Sequence, residues 1–294
     1  MKKSFFYLPL FIVIYAWLAN TAAIAASPWE WEFSLQVVAS SRIMKLPKAI
    51  FIDKNAERYY VVDGGNNRLL SFDRKGAFIS AFTANNSLEK PFDLVRQPNI
   101  LWVVEKGKNS LTEIDLKKQE ITPHKISHKG REVFPDRLAS HKGVLFLLDK
   151  ASGSILALDE KIQTKNLFSC EDCDGGFVDF KIKNSKLWAL EQDGASVYKF
   201  SLDGTMETKI ALESSALDFP RSLAIGDNDF LYVLDRHRGT IVVFDNNGRF
   251  KYNFLEAGES RGKIYYPIEI EFDPWGKLCV VEEGNGRVEV FRQR

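Results

Sequence analysis

The chain has 294 residues and carries 40 Lys and Arg against 39 Asp and Glu, a formal charge of +1. That balance excludes the clearly basic character of a domain bound mainly to nucleic acid. Three Cys are too few for a disulfide scaffold, so a chain of this length must stand on a hydrophobic core.

The first segment, "MKKSFFYLPLFIVIYAWLANTAAIAA", places Lys2 and Lys3 before an apolar run from Phe5 to Leu18, then Ala23-Ile24-Ala25. This is the pattern of a secretory signal peptide, cut after Ala25. An uncleaved membrane anchor is the rival reading. The Ala-x-Ala site and the lack of a second long apolar run favour cleavage. Residues 1–25 hold two Lys and no acid, so the mature chain is left with a formal charge near −1. The expected compartment is periplasmic or extracellular, with no stable membrane span. Residues 26–294 form one expected domain.

"WEWEFSLQVV" (29–38) alternates apolar and polar side chains as a half-buried strand does, yet it belongs to no complete repeat. Six copies of one pattern follow it. Each has an apolar run ending in an acid: Asp63, Glu105, Asp149, Glu191, Asp235 and Glu282, spaced by 42, 44, 42, 44 and 47 residues. Before each run stands a landmark, Pro47, Pro91, Pro135, Phe177, Pro220 or Pro267. Pro suits the first residue of a strand, where no ladder donor is needed. Each unit thus reads as four short antiparallel strands, a to d. Strand a follows the landmark, strand b ends at the acid, and a c–d turn is clearest at Gly76, Gly204 and Gly248. This period and content predict an all-β, six-bladed β-propeller of four-stranded blades. The sixth copy ends after its strand c, so the strand at about 29–38 is expected to complete the last blade and close the ring, leaving no free sheet edge.

The stretches "YYVVDGGNNRLLSFDRKGAF", "YVLDRHRGTIVVFDNNGRF" and "CVVEEGNGRVEVF" resemble the NHL repeat. Copies 2, 3 and 4 depart from it, with Ser110, Ser154 and Ser196 where the motif has Arg. The resemblance implies a six-bladed propeller over about residues 29 to 294. Members of that family include ligand-binding platforms, protein and RNA binders, and metal-dependent lyases or hydrolases, so the fold does not choose the function.

Antiparallel order puts the b–c and d–a connections on one face, and the ligand search starts there. The second residues after the landmarks are Ala49, Asp93, Arg137, Asp179, Ser222 and Glu269, and Arg221 stands one place earlier in its blade. Asp93, Asp179 and Glu269 come from alternate blades with Arg137 and Arg221 between them. They could hold Ca²⁺ or another divalent cation through oxygen ligands, or pair with the two Arg and with water. The b–c loops add Arg68, Arg236, His237, Arg238 and Arg287. The loop "PHKISHKGREVFPDR" is locally basic, with His124 and His128. Cys170 and Cys173 form a C-x-x-C that reads as a local disulfide in an oxidising compartment. No Gly-x-Ser-x-Gly elbow, phosphate loop or His-Glu-x-x-His occurs, so no catalytic residue is assigned. The sequence therefore predicts a monomeric exported platform without a cofactor, for an envelope protein, peptide or anionic ligand. A metal-dependent hydrolase or lyase and a structural spacer are the alternatives. The acid in each repeat is expected to accept turn amides. Arg68 and Arg287, in the two blades that flank the closure, are expected to pair with Asp63 and Glu282.

Overall fold

In the computed structural model, residues 27–37, 43–173 and 175–294 are described. The expected signal peptide lies outside them, and no described helix is long and apolar enough to cross a membrane. Six antiparallel sheets of four strands follow one another. Their a strands are Pro47–Asp53, Pro91–Arg96, Pro135–His141, Phe177–Lys183, Pro220–Ile225 and Pro267–Phe272. Strand a of each blade contacts strand a of its neighbours, so these six strands line the axis.

The last blade takes its outermost strand from the other end of the chain. Trp29–Leu35 pairs antiparallel with Arg287–Gln293, from Trp29 opposite Gln293 to Leu35 opposite Val288, with a bulge between Trp31 and Phe33. Strand formation stops at Leu35, short of the expected residue 38, and 38–42 lie outside the described residues. Trp29 is buried and its ring stacks 5.9 Å from Phe254 in blade 5. The buried Glu289 accepts from Trp31 Nε1 at 2.7 Å and Ser34 Oγ at 2.5 Å, and Arg287 holds it at 2.7 Å. Arg287 also reaches Glu282 at 2.7 Å, and Arg68 reaches Asp63 at 2.6 Å. The two motif arginines therefore stand on either side of the closure.

The recurring acid has a double role. Its carboxylate accepts from the residue three places on in the b–c turn: Asn66, Lys108, Ser152, Gly194, Arg238 and Asn285 in order. In five blades it also accepts a backbone amide from the d–a crossover just before the landmark. Those donors are Lys45, Glu89, Phe134, Asp218 and Tyr265, at 2.5–2.8 Å. One buried carboxylate thus satisfies two loops whose amides have no ladder partner. Blade 4 is the exception. Glu191 accepts from Gly194, and its Oε2 has no partner among the described residues. The crossover entering that blade instead carries a disulfide between Cys170 and Cys173. Cys279 is a buried free thiol in strand b of blade 6.

Replacing Asp149, which holds Phe134 N, Ala151 N and Ser152 Oγ, by Ala should cost about 1–3 kcal/mol in denaturant unfolding. Glu191→Ala should cost less, and the reverse order would refute the clamp. Trp29→Ala should cost about 3–5 kcal/mol, against little loss if the closing strand were dispensable.

Candidate functional site

In all six blades, strand a breaks register just after its landmark, between Pro47/Ile50, Pro91/Asp93, Pro135/Leu138, Phe177/Asp179, Pro220/Ser222 and Pro267/Glu269. Such a bulge turns consecutive side chains toward one side and re-aims them. Phe92 and Asp93, Asp136 and Arg137, Val178 and Asp179, and Ile268 and Glu269 are accordingly all buried. The structure thereby brings Asp93, Arg137, Asp179, Arg221 and Glu269 together around the axis.

Strand a is the inner edge of its sheet, with backbone groups that no further strand pairs. Side chains from the preceding blade supply the partners. Leu138 N donates to Asp93 Oδ2 at 2.9 Å, Leu223 N to Asp179 Oδ2 at 2.9 Å, Ile270 N to Ser222 Oγ at 3.1 Å, and Ile50 N to Glu269 Oε2 at 3.0 Å. Each donor is the third residue after its landmark. The guanidinium of Arg137 crosses the channel, donating to Ile268 O at 3.1 Å and Lys48 O at 3.4 Å, and lies 3.6 Å from Glu269.

Arg137 separates two ends of the axis. On the side of the b–c and d–a loops, Lys106 pairs with Asp136, and Glu283 bridges Lys48 and Arg236. Burial, reinforced by Arg137, pulls the Arg221 and Lys106 pKa values down, although Asp136 opposes this for both. The mouth thus crowds cations around few acids. Directly before the landmarks, Leu46, Phe134 and Tyr266 are 50%, 44% and 53% exposed, and half-buried Phe219 stacks 4.3 Å from exposed His237. In three of these blades the carbonyl is tied to the first residue after strand b: Lys150 N bonds Phe134 O at 2.8 Å, Arg236 N bonds Phe219 O at 3.0 Å, and Glu283 N bonds Tyr266 O at 3.1 Å.

On the opposite side the channel widens into a cavity of 210 Å³ lined by Asp93, Asp179, Lys181, Glu269, Glu271 and the far ends of the a strands. Sequence reasoning looked for the ligand at the other end and missed Lys181 and Glu271. Their signal was the alternation of charge in "FVDFKIK" and "PIEIEF", which continues the inward face by one pleat. Lys181 Nζ lies 3.0 Å from Glu269 and 2.8 Å from Glu271. Burial and the Glu269 charge push Asp93 up to about 8, against the pull of Arg137, the Leu138 amide and Lys181. Burial also raises Glu271, while Lys181 opposes.

The remaining loop residues play other parts. Arg68 and Arg287 are 6% and 9% exposed and hold crossovers beside the closure. Arg238 donates to Ala216 O at 2.7 Å, and Arg236 lies over the Tyr266 ring. His124 bonds Glu113 at 3.1 Å, while His128 belongs to a short hairpin with Arg131. No group of three His, Cys, Asp or Glu among the described residues is placed to share a metal.

No family model matches the chain, and no curated protein matches it in sequence. Solved structures match its fold. A streptogramin B lyase is 12% identical with a TM-score of 0.67, over 90% of this chain and 98% of the other. A catalytically inactive virginiamycin B lyase from Staphylococcus aureus, solved with quinupristin, is 16% identical with a TM-score of 0.64, over 87% and 83%. A gluconolactonase from Xanthomonas campestris is 12% identical with a TM-score of 0.61, over 85% and 86%. These likenesses define the chain as a six-bladed β-propeller.

The folded Asp93 carboxyl, at about 8, keeps a proton that an unfolded Asp releases near about pH 4. Between those values the folded state binds more protons, so this contribution to stability is full at acid pH and is lost as pH rises through about 8. The melting temperature should therefore fall between about pH 4 and about pH 8 and level off above, and Asp93→Asn should flatten the decline between about pH 7 and about pH 8. Glu282, pushed up to about 7 by burial, contributes a decline of the same sign in both proteins. Equal slopes in the two proteins would remove Asp93 as the source.

Proposed function

We propose that this chain is an exported NHL-like propeller that binds a protein or peptide partner on the face bearing the b–c and d–a loops. The observation that carries this reading is the set Leu46, Phe134, Phe219 and Tyr266. These large apolar side chains occupy equivalent places before four landmarks, on tied backbone, around the channel mouth. Isolated exposed apolar residues are ordinary, but a set repeated at the same place in four blades on fixed backbone suits a docking surface. Rigid aromatics lose little conformational entropy on binding and make effective anchors.

The mouth they surround sets the charge of the partner. Lys48, Lys106, Arg221 and Arg236 stand there against Asp136 and Glu283. Arg221 donates to Val178 O at 3.5 Å. An acidic side chain or terminal carboxylate of the partner would relieve this crowding, with His237 and Arg238 at the rim. The expected export makes an envelope component the natural partner. The spacer alternative assigns no binding to this face.

A hydrolase or lyase reading through a divalent cation held by Asp93, Asp179 and Glu269 has less support. Each of these carboxylates already accepts a strand amide, and the ammonium of Lys181 and the guanidinium of Arg137 stand among them. Oxygen donors committed to backbone and interleaved with cations do not fit a hard-cation site.

Affinity capture from an envelope extract should recover a partner with wild type and with Arg74→Ala/Lys117→Ala, which alters the opposite face. Phe134→Ser/Tyr266→Ser should lose it, with an unchanged melting temperature, and Arg221→Glu should weaken it by about tenfold. A partner set untouched by Phe134→Ser/Tyr266→Ser would overturn the proposal.

A further inference from the structure

The cavity at the far end of the axis is independent of that docking face, because Arg137 lies between them. Four carboxyl groups, Asp93, Asp179, Glu269 and Glu271, line it against two cations, Arg137 and Lys181. The excess of acid is not fully used by the fold. Asp179 is 1% exposed. Its Oδ2 holds Ser222 Oγ and Leu223 N, while its Oδ1 is buried with no hydrogen-bond partner among the described residues. A buried carboxylate oxygen left without a donor is costly unless a donor arrives. Glu271 stands at the open end, with 32% of its side chain exposed, bonded to Lys181.

We propose that this cavity binds a small primary ammonium compound, whose N–H groups reach the carboxylates of Asp179 and Glu271. The group fits on three grounds. Its N–H groups supply the donor that Asp179 Oδ1 lacks, its positive charge answers the excess of acid that remains with Asp93 protonated, and a cavity of 210 Å³ suits only a small molecule. An anion is disfavoured by the same surplus. Asp93 faces Glu269, Arg137 and Lys181 across the axis, and its raised pKa means that it carries a proton at neutral pH. Glu271 faces Lys181, Glu269 and Asp179, with its own pKa raised. An arriving ammonium therefore exchanges for a proton, and binding strengthens as pH rises toward about 8.

The experiment is calorimetric titration of the full chain with n-butylammonium, 1-butanol and calcium chloride. It is repeated near neutral pH in two buffers of different ionisation enthalpy. Butylammonium should bind at one site with release of protons, and 1-butanol should not bind. Asp179→Asn should weaken the amine by about tenfold or more. Because Asp179 also joins two blades, Glu271→Gln serves as the second variant. It should weaken the amine similarly while leaving the melting temperature unchanged. Absence of amine binding, equal binding of 1-butanol, calcium binding in place of the amine, or a Glu271→Gln protein that binds as wild type would each overturn the proposal. Capture of the protein partner should be unaffected by Glu271→Gln, which separates this site from the docking face.

Discussion

Six sheets arranged around an axis leave six inner edges, and each edge presents amides and carbonyls that no strand can reach. The side chains that line the axis are buried, and they serve these groups in place of a further strand. Asp93, Asp179, Ser222 and Glu269 each hand one acceptor to the next blade at an equivalent amide. Arg137 supplies donors to the carbonyls across the ring. Each such bond contributes on the order of 1–3 kcal/mol net when a charged group takes part, and removing one partner leaves a buried group exposed to the full cost of desolvation. The polar lining of this propeller is therefore first a requirement of its topology. A ligand must be argued from the atoms left over, chiefly Asp179 Oδ1 and the outer carboxylate of Glu271.

A second set of carboxylates does the corresponding task at the rim of the other face. Asp63, Glu105, Asp149, Asp235 and Glu282 fix both their own turn and the incoming crossover, so the residues before the landmarks have little freedom. Leu46 and Tyr266 sit at φ 46° and 49°, a region that bulky side chains rarely adopt, and they are held there by the same bonds. Structural acids and the exposed apolar ring are thus linked. The clamp that stabilises the crossover also fixes the direction in which the aromatic side chains project. In blade 4, where Glu191 accepts from its own turn and from no crossover amide among the described residues, Gly175 and Gly176 stand directly before the landmark.

The architecture was legible because its signals are local and repeated. The landmarks, the terminal acid and the period mark every blade, and the unpaired strand before Pro47 pointed to closure. The pairing of Arg68 and Arg287 with their acids was also readable, since both members lie in one turn. The site was less legible. A bulge has no residue signature in this chain: Lys48-Ala49, Asp136-Arg137 and Ile268-Glu269 share no side-chain type. Simple alternation therefore understated how many side chains reach the axis. Nor does sequence say which end of a channel is open. Arg137 closes one end by reaching carbonyls 89 and 131 residues away, a contact visible only after folding.

The closing strand has one more consequence. Trp29 lies opposite Gln293, and Arg294 N donates to Pro28 O at 2.9 Å, so the chain enters and leaves the disc side by side. That point lies at the outer rim, where strand c of the last blade ends and its strand d begins, on the side of the a–b and c–d turns. Anything attached there, at either end, would carry the disc by its underside. The aromatic face would then point away from the attachment, and the axial cavity would look back toward it. A single pair of neighbouring ends thus gives the molecule an orientation as well as a fastening.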